Sequence, residues 1–170
     1  MLGTGLGLVL PALWTPGQAR AAAPTAASLP LPGPMDTCPV CGMLVAKYPE
    51  WIATLGFSDG HLAHFDGAKD MVKFLRDMPR YAKDRSADQV VALAVTDYYD
   101  LSRIDARAAL YVVGSDVLGP MGHEPVPLAN AEDAATFQAD HAGKATLTLD
   151  ALDLALMARL DDGDLEGLGQ

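Results

Sequence analysis

An α+β fold of two small related ββαβ lobes, closed by a C-terminal helix, is the architecture this 170-residue sequence predicts. Three observations point to it. Short apolar runs of strand length alternate with stretches whose apolar residues fall at helical spacing. Two of those stretches follow a residue able to cap a helix, and each lies between strand-like runs. Laid over one another, His64–Phe74 and Pro127–Phe137 match Ala68 with Ala131, Asp70 with Asp133 and Phe74 with Phe137. Two capped amphipathic helices can agree this far by chance, so the shared order of elements carries more weight than the identities.

The elements follow in chain order. Residues 1–21 read as a signal peptide, because the apolar run Leu6–Trp14 precedes Ala19-Arg20-Ala21, a small-x-small cleavage site, although no Lys or Arg comes before the run. That run is shorter than the ~20 residues a membrane span requires. Residues 22–34, rich in Ala and Pro and uncharged, read as a flexible tether. The first lobe is assigned to residues 35–100. Its strands are Trp51–Phe57 and Leu62–Phe65, joined by the turn Ser58-Asp59-Gly60-His61. Asp66 is expected to cap a helix carrying Ala68, Met71, Val72, Phe74, Leu75 and Met78 on one face, with Pro79 as its stop. Val90–Val95 is continuously aliphatic and reads as a strand buried on both sides.

The second lobe is assigned to residues 101–160. Ala109–Val113 is strand-like, Gly114-Ser115-Asp116 turns, and the glycine-rich Gly119-Pro120-Met121-Gly122 leads to Pro125–Leu128. Asn130 can cap a helix through Ala134 and Phe137 that ends near Gly143, and Lys144–Leu149 alternates like a strand. Asp150 is expected to cap the last helix, through Leu152, Leu156 and Leu160. Residues 161–170 read as a frayed acidic tail.

Half of the residues are hydrophobic and only 6% are aromatic, so aliphatics must fill the core. Asp and Glu outnumber Lys and Arg by 22 to 12, for a net charge of −10. Such a balance repels nucleic acid and favours cations or a basic protein partner. It serves solubility equally well. No Ser-His-Asp order, phosphate loop, dinucleotide fingerprint or paired-carboxylate site emerges, so an enzyme is not expected, nor is a small-molecule substrate.

Both cysteines lie in Cys38-Pro39-Val40-Cys41-Gly42-Met43, which adds a third sulfur two positions on. Four readings stand. A zinc knuckle needs a second ligand pair, and His61-x-x-His64 is spaced more tightly than usual. A thioredoxin-type pair would ordinarily open a helix, whereas a Pro-rich segment precedes Cys38. A short permanent disulfide suits an exported protein. Cu(I) accepts thiolate, thioether and imidazole without a fixed geometry, and it draws on more of the chain. Cys41 and Met43 share a side if their segment is extended. Met121 and His123 repeat that spacing, so two donor pairs can meet across the lobes. Met121, between Pro120 and Gly122, lies outside any amphipathic pattern, unlike Met71, Met78 and Met157.

Taken in order, Cys38-x-x-Cys41-Gly42-Met43, Phe65-Asp66 before a helix with Met71, Tyr111-Val112-x-Gly114-Ser115, Gly119-Pro120-Met121-Gly122, and Ala134-x-x-Phe137 before His141-x-Gly143 resemble the NosL family of nitrous oxide reductase accessory proteins. The resemblance covers about Asp36 to Leu149. It implies an exported Cu(I)-binding metallochaperone with two ββαβ lobes, which serves nitrous oxide reductase and its copper-supply membrane machinery in the periplasm. Its soft ligands match Cys41 and Met121 here, with Met43, His123 and Cys38 as neighbouring candidates. Family members are typically lipoproteins, and this sequence departs from that pattern because no cysteine precedes Cys38.

Overall fold

The computed structural model describes residues 24–169, so the expected signal peptide lies outside the described residues. Two antiparallel sheets carry the chain. The first orders its strands β2-β1-β3-β4, with β1 at Ala53–Phe57, β2 at Leu62–Phe65, β3 at Val90–Thr96 and β4 at Arg103–Asp105. Helix α1 (Ala68–Arg76) and the short α2 (Met78–Tyr81) connect β2 to β3. The second sheet is made by β5 (Leu110–Val113), β8 (Val126–Leu128) and β9 (Ala145–Thr148), in the order β8-β5-β9. A two-stranded hairpin, β6 (Leu118–Gly119) with β7 (Gly122–His123), separates β5 from β8, and α3 (Ala131–Asp140) precedes β9. Helix α4 (Leu154–Asp162) follows.

The α+β class is therefore present, with a ββαβ order in both units. In each, the first strand is central, the second pairs on one side, and the strand after the helix pairs on the other. Strand β4 and the β6–β7 hairpin were not expected from the local pattern, because elements of two or three residues carry too few side chains to show a period.

One core crosses both units. Phe65, Met71, Val72, Phe74, Leu93 and Val95 of the first pack in the same cluster as Tyr111, Val113, Leu149, Leu152, Met157 and Leu160 of the second. Phe74 meets Phe65 edge-on at 5.2 Å, and full burial of such a side chain contributes about 1.5–3 kcal/mol. The opposite face of β5 turns Val112 into a smaller core under α3, with Val126, Leu128, Ala134 and Phe137. Strand β3 is buried on both sides, as its aliphatic run predicts. Leu93 and Val95 face the main core, whereas Ala92 and Ala94 face a third cluster with Ala26 and Leu29.

That last contact corrects the tether. Among the described residues of 22–34, a 3-10 turn at Ala26–Ser28 lays Ala26 and Leu29 on the outer face of the first sheet, because β3 leaves apolar alanines there that need a cover. The last helix starts later than expected: Asp153 caps α4 by accepting from the Leu156 amide, and Asp150 lies in a 3-10 turn at Leu149–Ala151. Among the described residues of the acidic tail, the chain is not frayed. Leu165 and Leu168 pack against the main core, and Arg159 pairs with Asp164 at 3.0 Å.

Candidate metal centre

The cysteine segment is closed by its own backbone. Thr37 and Leu44 form an isolated bridge, the Cys38 amide donates to the Met43 carbonyl (2.8 Å), and the Gly42 amide donates to the Cys38 carbonyl (2.9 Å). Gly42 takes φ +81°, a left-handed conformation that glycine adopts without penalty. The turn aims the amides of Val40 and Cys41 at Cys38 Sγ and that of Met43 at Cys41 Sγ.

Strand β2 and α1 supply the other half. Cys38 Sγ donates to Asp70 Oδ2 at 3.3 Å, and Cys41 Sγ to Asp66 Oδ1 at 3.3 Å. One donor atom from each of Cys38, Cys41, Asp66 and Asp70 lies within 4.8 Å of the others. Asp66 was expected to cap α1; it turns to the thiol instead. The N-cap is Gly67, which has no side chain to offer. Its task falls to Glu124, whose Oε2 accepts from the Lys69 amide at 3.0 Å. A Cβ at Gly67 would stand 2.8 Å from that carboxylate, and one at Gly119 2.5 Å from Glu124 Cγ, so either would force Glu124 to shift.

Burial, the largest cause, pushes the Cys41 thiol up to about 12 and Cys38 higher still, with the neighbouring carboxylates adding to both and the loop amides opposing. Both cysteines are free thiols in this structure. Burial also pushes the Glu124 carboxyl up to about 8, while the Lys69 ammonium and amide pull it down. One oxygen is left over: buried Asp70 Oδ1 has no hydrogen bond, for Lys73 Nζ lies 3.3 Å away in poor hydrogen-bond geometry.

A cleft of about 580 Å³ opens beside these groups, and Cys41, Asp70, Met121, Leu154 and Met157 are among its walls. Met121 reaches it from the tip of the β6–β7 hairpin, with 40% of its surface exposed. Cys41 and Met121, far apart in sequence, thus share one cavity, and Cys38 adjoins Cys41 under 2% exposure. Met43 and His123 do not line the cleft. Cys41 with Met43, and Met121 with His123, would share a side only on extended backbone, whereas the intervening Gly42 and Gly122 take φ +81° and +83°. His123 instead sits on β7, its Nδ1 buried and without a hydrogen bond. His61 and His64, weighed as zinc partners, line a separate cavity with Asp36.

Several residues of the site escaped the sequence reading. Asp66 and Asp70 stand four apart at the opening of a helix, a spacing that could have marked them as a donor pair. Nothing local marks Lys69, which is fully buried. Its Nζ donates to the Met121 carbonyl at 2.7 Å and lies 3.1 Å from Asp161 and 3.9 Å from Glu124. Asp161, assigned to the tail, also pairs with Lys73 at 2.6 Å.

The model of one protein family, NosL, matches residues 32–157, a span that contains every donor named above. Among solved structures, the chain is similar to the copper chaperone NosL from Shewanella denitrificans, at 25% identity and a TM-score of 0.63. That match covers 76% of this chain and 98% of the other. No curated protein matches the chain at a significant level. With its cysteine knuckle, its hairpin methionine and both ββαβ units inside the matched span or overlapping it, the chain belongs to the NosL family.

Proposed function

We propose that this protein is a copper chaperone: it carries Cu(I) as cargo on Cys41 and Met121, with Cys38 as a further thiolate, and delivers it for assembly of nitrous oxide reductase. The observation that carries this reading is the shared cleft. One thiol and a thioether, Cys41 and Met121, both soft donors suited to Cu(I), line one opening although they lie far apart in sequence, and the second thiol, Cys38, is buried beside Cys41. The solved neighbour is itself described as a copper chaperone. Each thiol that binds the metal must give up its proton, and the Asp66 and Asp70 carboxylates stand 3.3 Å away to receive it. Exposure of Met121 lets an incoming donor join the metal before the old bonds leave, so no free ion need form. Export to the periplasm, and encounter there with nitrous oxide reductase and the membrane machinery that supplies copper, belong to the same proposal. They rest on the N-terminal sequence and on the family.

The test is Cu(I) titration against a competing chelator for the parent, Cys41→Ser and Met121→Leu. Each variant is expected to bind at least tenfold more weakly, since even an outer-sphere partner is typically worth 10–100-fold in affinity. Parent-like binding by both would refute the site. Transfer of the bound copper to metal-free nitrous oxide reductase then tests delivery.

A second reading has one specific observation behind it. Cys38, Cys41, Asp66 and Asp70 number four, the coordination a structural zinc site requires. Stoichiometric zinc that survives dialysis after reducing purification, with loss of fold on chelation, would favour this zinc-stabilised interaction module.

A further inference from the structure

We propose that Lys69 is a positioning residue, which ties the main chain at Met121 to the start of α1 and so holds the thioether at the cleft that Cys41 lines. This rests on the reading of Met121 as a copper ligand. The hairpin that presents Met121 has two pairs in its ladder, Leu118 with His123 and Gly119 with Gly122. A hairpin of that size is not stable by itself and must be held from outside. Lys69 holds it at two points. Its amide donates to Glu124, just past the hairpin, and its ammonium donates to the carbonyl of Met121 at the tip.

The distances distinguish this role from simple pairing with Glu124. An ammonium buried to 0% exposure costs several kcal/mol unless it is paired. If Lys69 served only as the partner of Glu124, its ammonium and that carboxyl group would lie in contact. They stand 3.9 Å apart, whereas the bond to the Met121 carbonyl is 2.7 Å. Asp161 supplies the counter-charge at 3.1 Å and reaches onward to Lys73, which lies 3.3 Å from Asp70. One polar chain therefore runs from the hairpin tip through Lys69, Asp161, Lys73 and Asp70 to Cys38. A donor whose backbone is fixed in this way loses less freedom when the metal binds.

The experiment compares Lys69→Leu, Met121→Leu and the double variant in full-length protein. Two measurements are made: Cu(I) affinity by chelator competition, and the number of sulfur scatterers around copper by X-ray absorption. Lys69→Leu is expected to bind Cu(I) about 10- to 100-fold more weakly and to lose one sulfur scatterer, although its own side chain is no ligand. The double variant is expected to match Met121→Leu. A Lys69→Leu protein with parental affinity and sulfur count overturns the proposal, as does a double variant whose losses multiply. If Met121→Leu alone leaves both readouts unchanged, the copper ligand itself was misassigned, which is a separate failure. Should Lys69→Leu not fold, Asp161→Asn removes the counter-charge at a more exposed position. It is then expected to weaken binding in the parent, by less than the roughly 10- to 100-fold of a direct outer-sphere partner, and not at all in Met121→Leu. An equal loss in both backgrounds overturns the proposal.

Discussion

Replacing Gly67 by alanine tests how the two units are keyed together. The new Cβ would stand 2.8 Å from the Glu124 carboxyl carbon and from Oε2, and 2.9 Å from Oε1. An ordinary contact needs about 0.7–1.2 Å more. The carboxylate cannot withdraw without cost, since its Oε2 accepts from the Lys69 amide at 3.0 Å and Gly119 approaches its Cγ closely. Backbone conformation is not the obstacle, because Gly67 is extended at φ −173° and alanine adopts that readily. Three terms then set the magnitude. Overpacking costs about 1–3 kcal/mol. Loss of the bond from the Lys69 amide to Glu124, the cap of α1, costs about 1 kcal/mol. Reduced freedom of the unfolded chain returns about 0.4–1 kcal/mol. The sum is a destabilisation of about 2 kcal/mol, or a fall in Tm of about 4–8 °C for a chain of this length. Thermal unfolding of the metal-free, reduced protein followed by circular dichroism reads it, with Gly33→Ala as reference. At Gly33 an added Cβ meets nothing nearer than 3.6 Å. In a Glu124→Ala background the Gly67 substitution should cost almost nothing. If Gly67→Ala is as stable as Gly33→Ala, Glu124 does not sit on the start of α1 and the keyed contact is wrong.

Two further outcomes follow from the first sheet. Leu29→Ala should lower stability by about 2 kcal/mol in urea unfolding, at the low end for a buried leucine because the site lies at a margin of the fold. A loss below about 0.5 kcal/mol would show that the N-terminal segment does not dock. His64, 8% exposed with Nδ1 at 3.0 Å from Thr54 Oγ1, is held below its ordinary 6.5, chiefly by burial. A depressed pKa means that the unfolded chain binds the proton more readily, so this contribution is complete above about pH 6.5 and is lost as pH falls through the lowered midpoint. Ring titration by NMR should give a midpoint below 6.5, and a midpoint at or above it would contradict the burial.

Much of the secondary structure was legible because its signals are local. The run Trp51–Phe57 contains β1, the aliphatic run Val90–Val95 lies within β3, and the spacing of Met71, Val72 and Phe74 marks the inner face of α1. Asn130 caps α3 as its position suggests, accepting from the Asp133 amide at 3.0 Å. Asp66 follows the same local rule and departs from it, because a thiol 25 residues upstream takes its carboxylate. The cap that replaces it comes from Glu124, 55 positions from the Lys69 amide it accepts from, which no window of sequence can join to the start of α1. The site divides in the same manner. Cys41 and Met121 could be singled out from their own neighbours, since soft side chains among Pro and Gly are out of place in a core pattern. Lys69 and Asp161 could not. A lysine inside a helix and an aspartate near the end of a chain look like solvent-facing charge until the fold buries one beside the other.

The single core that crosses the two units also sets a clock. Strand β5 is clamped on both faces, Tyr111 and Val113 on one and Val112 on the other, and α4 packs its Met157 and Leu160 into the same cluster as α1. Parting the units would expose that cluster to water, so the slow hinge motions of two-domain proteins, on microsecond to millisecond scales, have no seam to act on. What remains free at the cleft is rotation about the side-chain bonds of exposed Met121, which proceeds in picoseconds to nanoseconds. For the copper hand-over proposed above, the expected pace is therefore set at the encounter of two proteins, with no hinge opening of this one required.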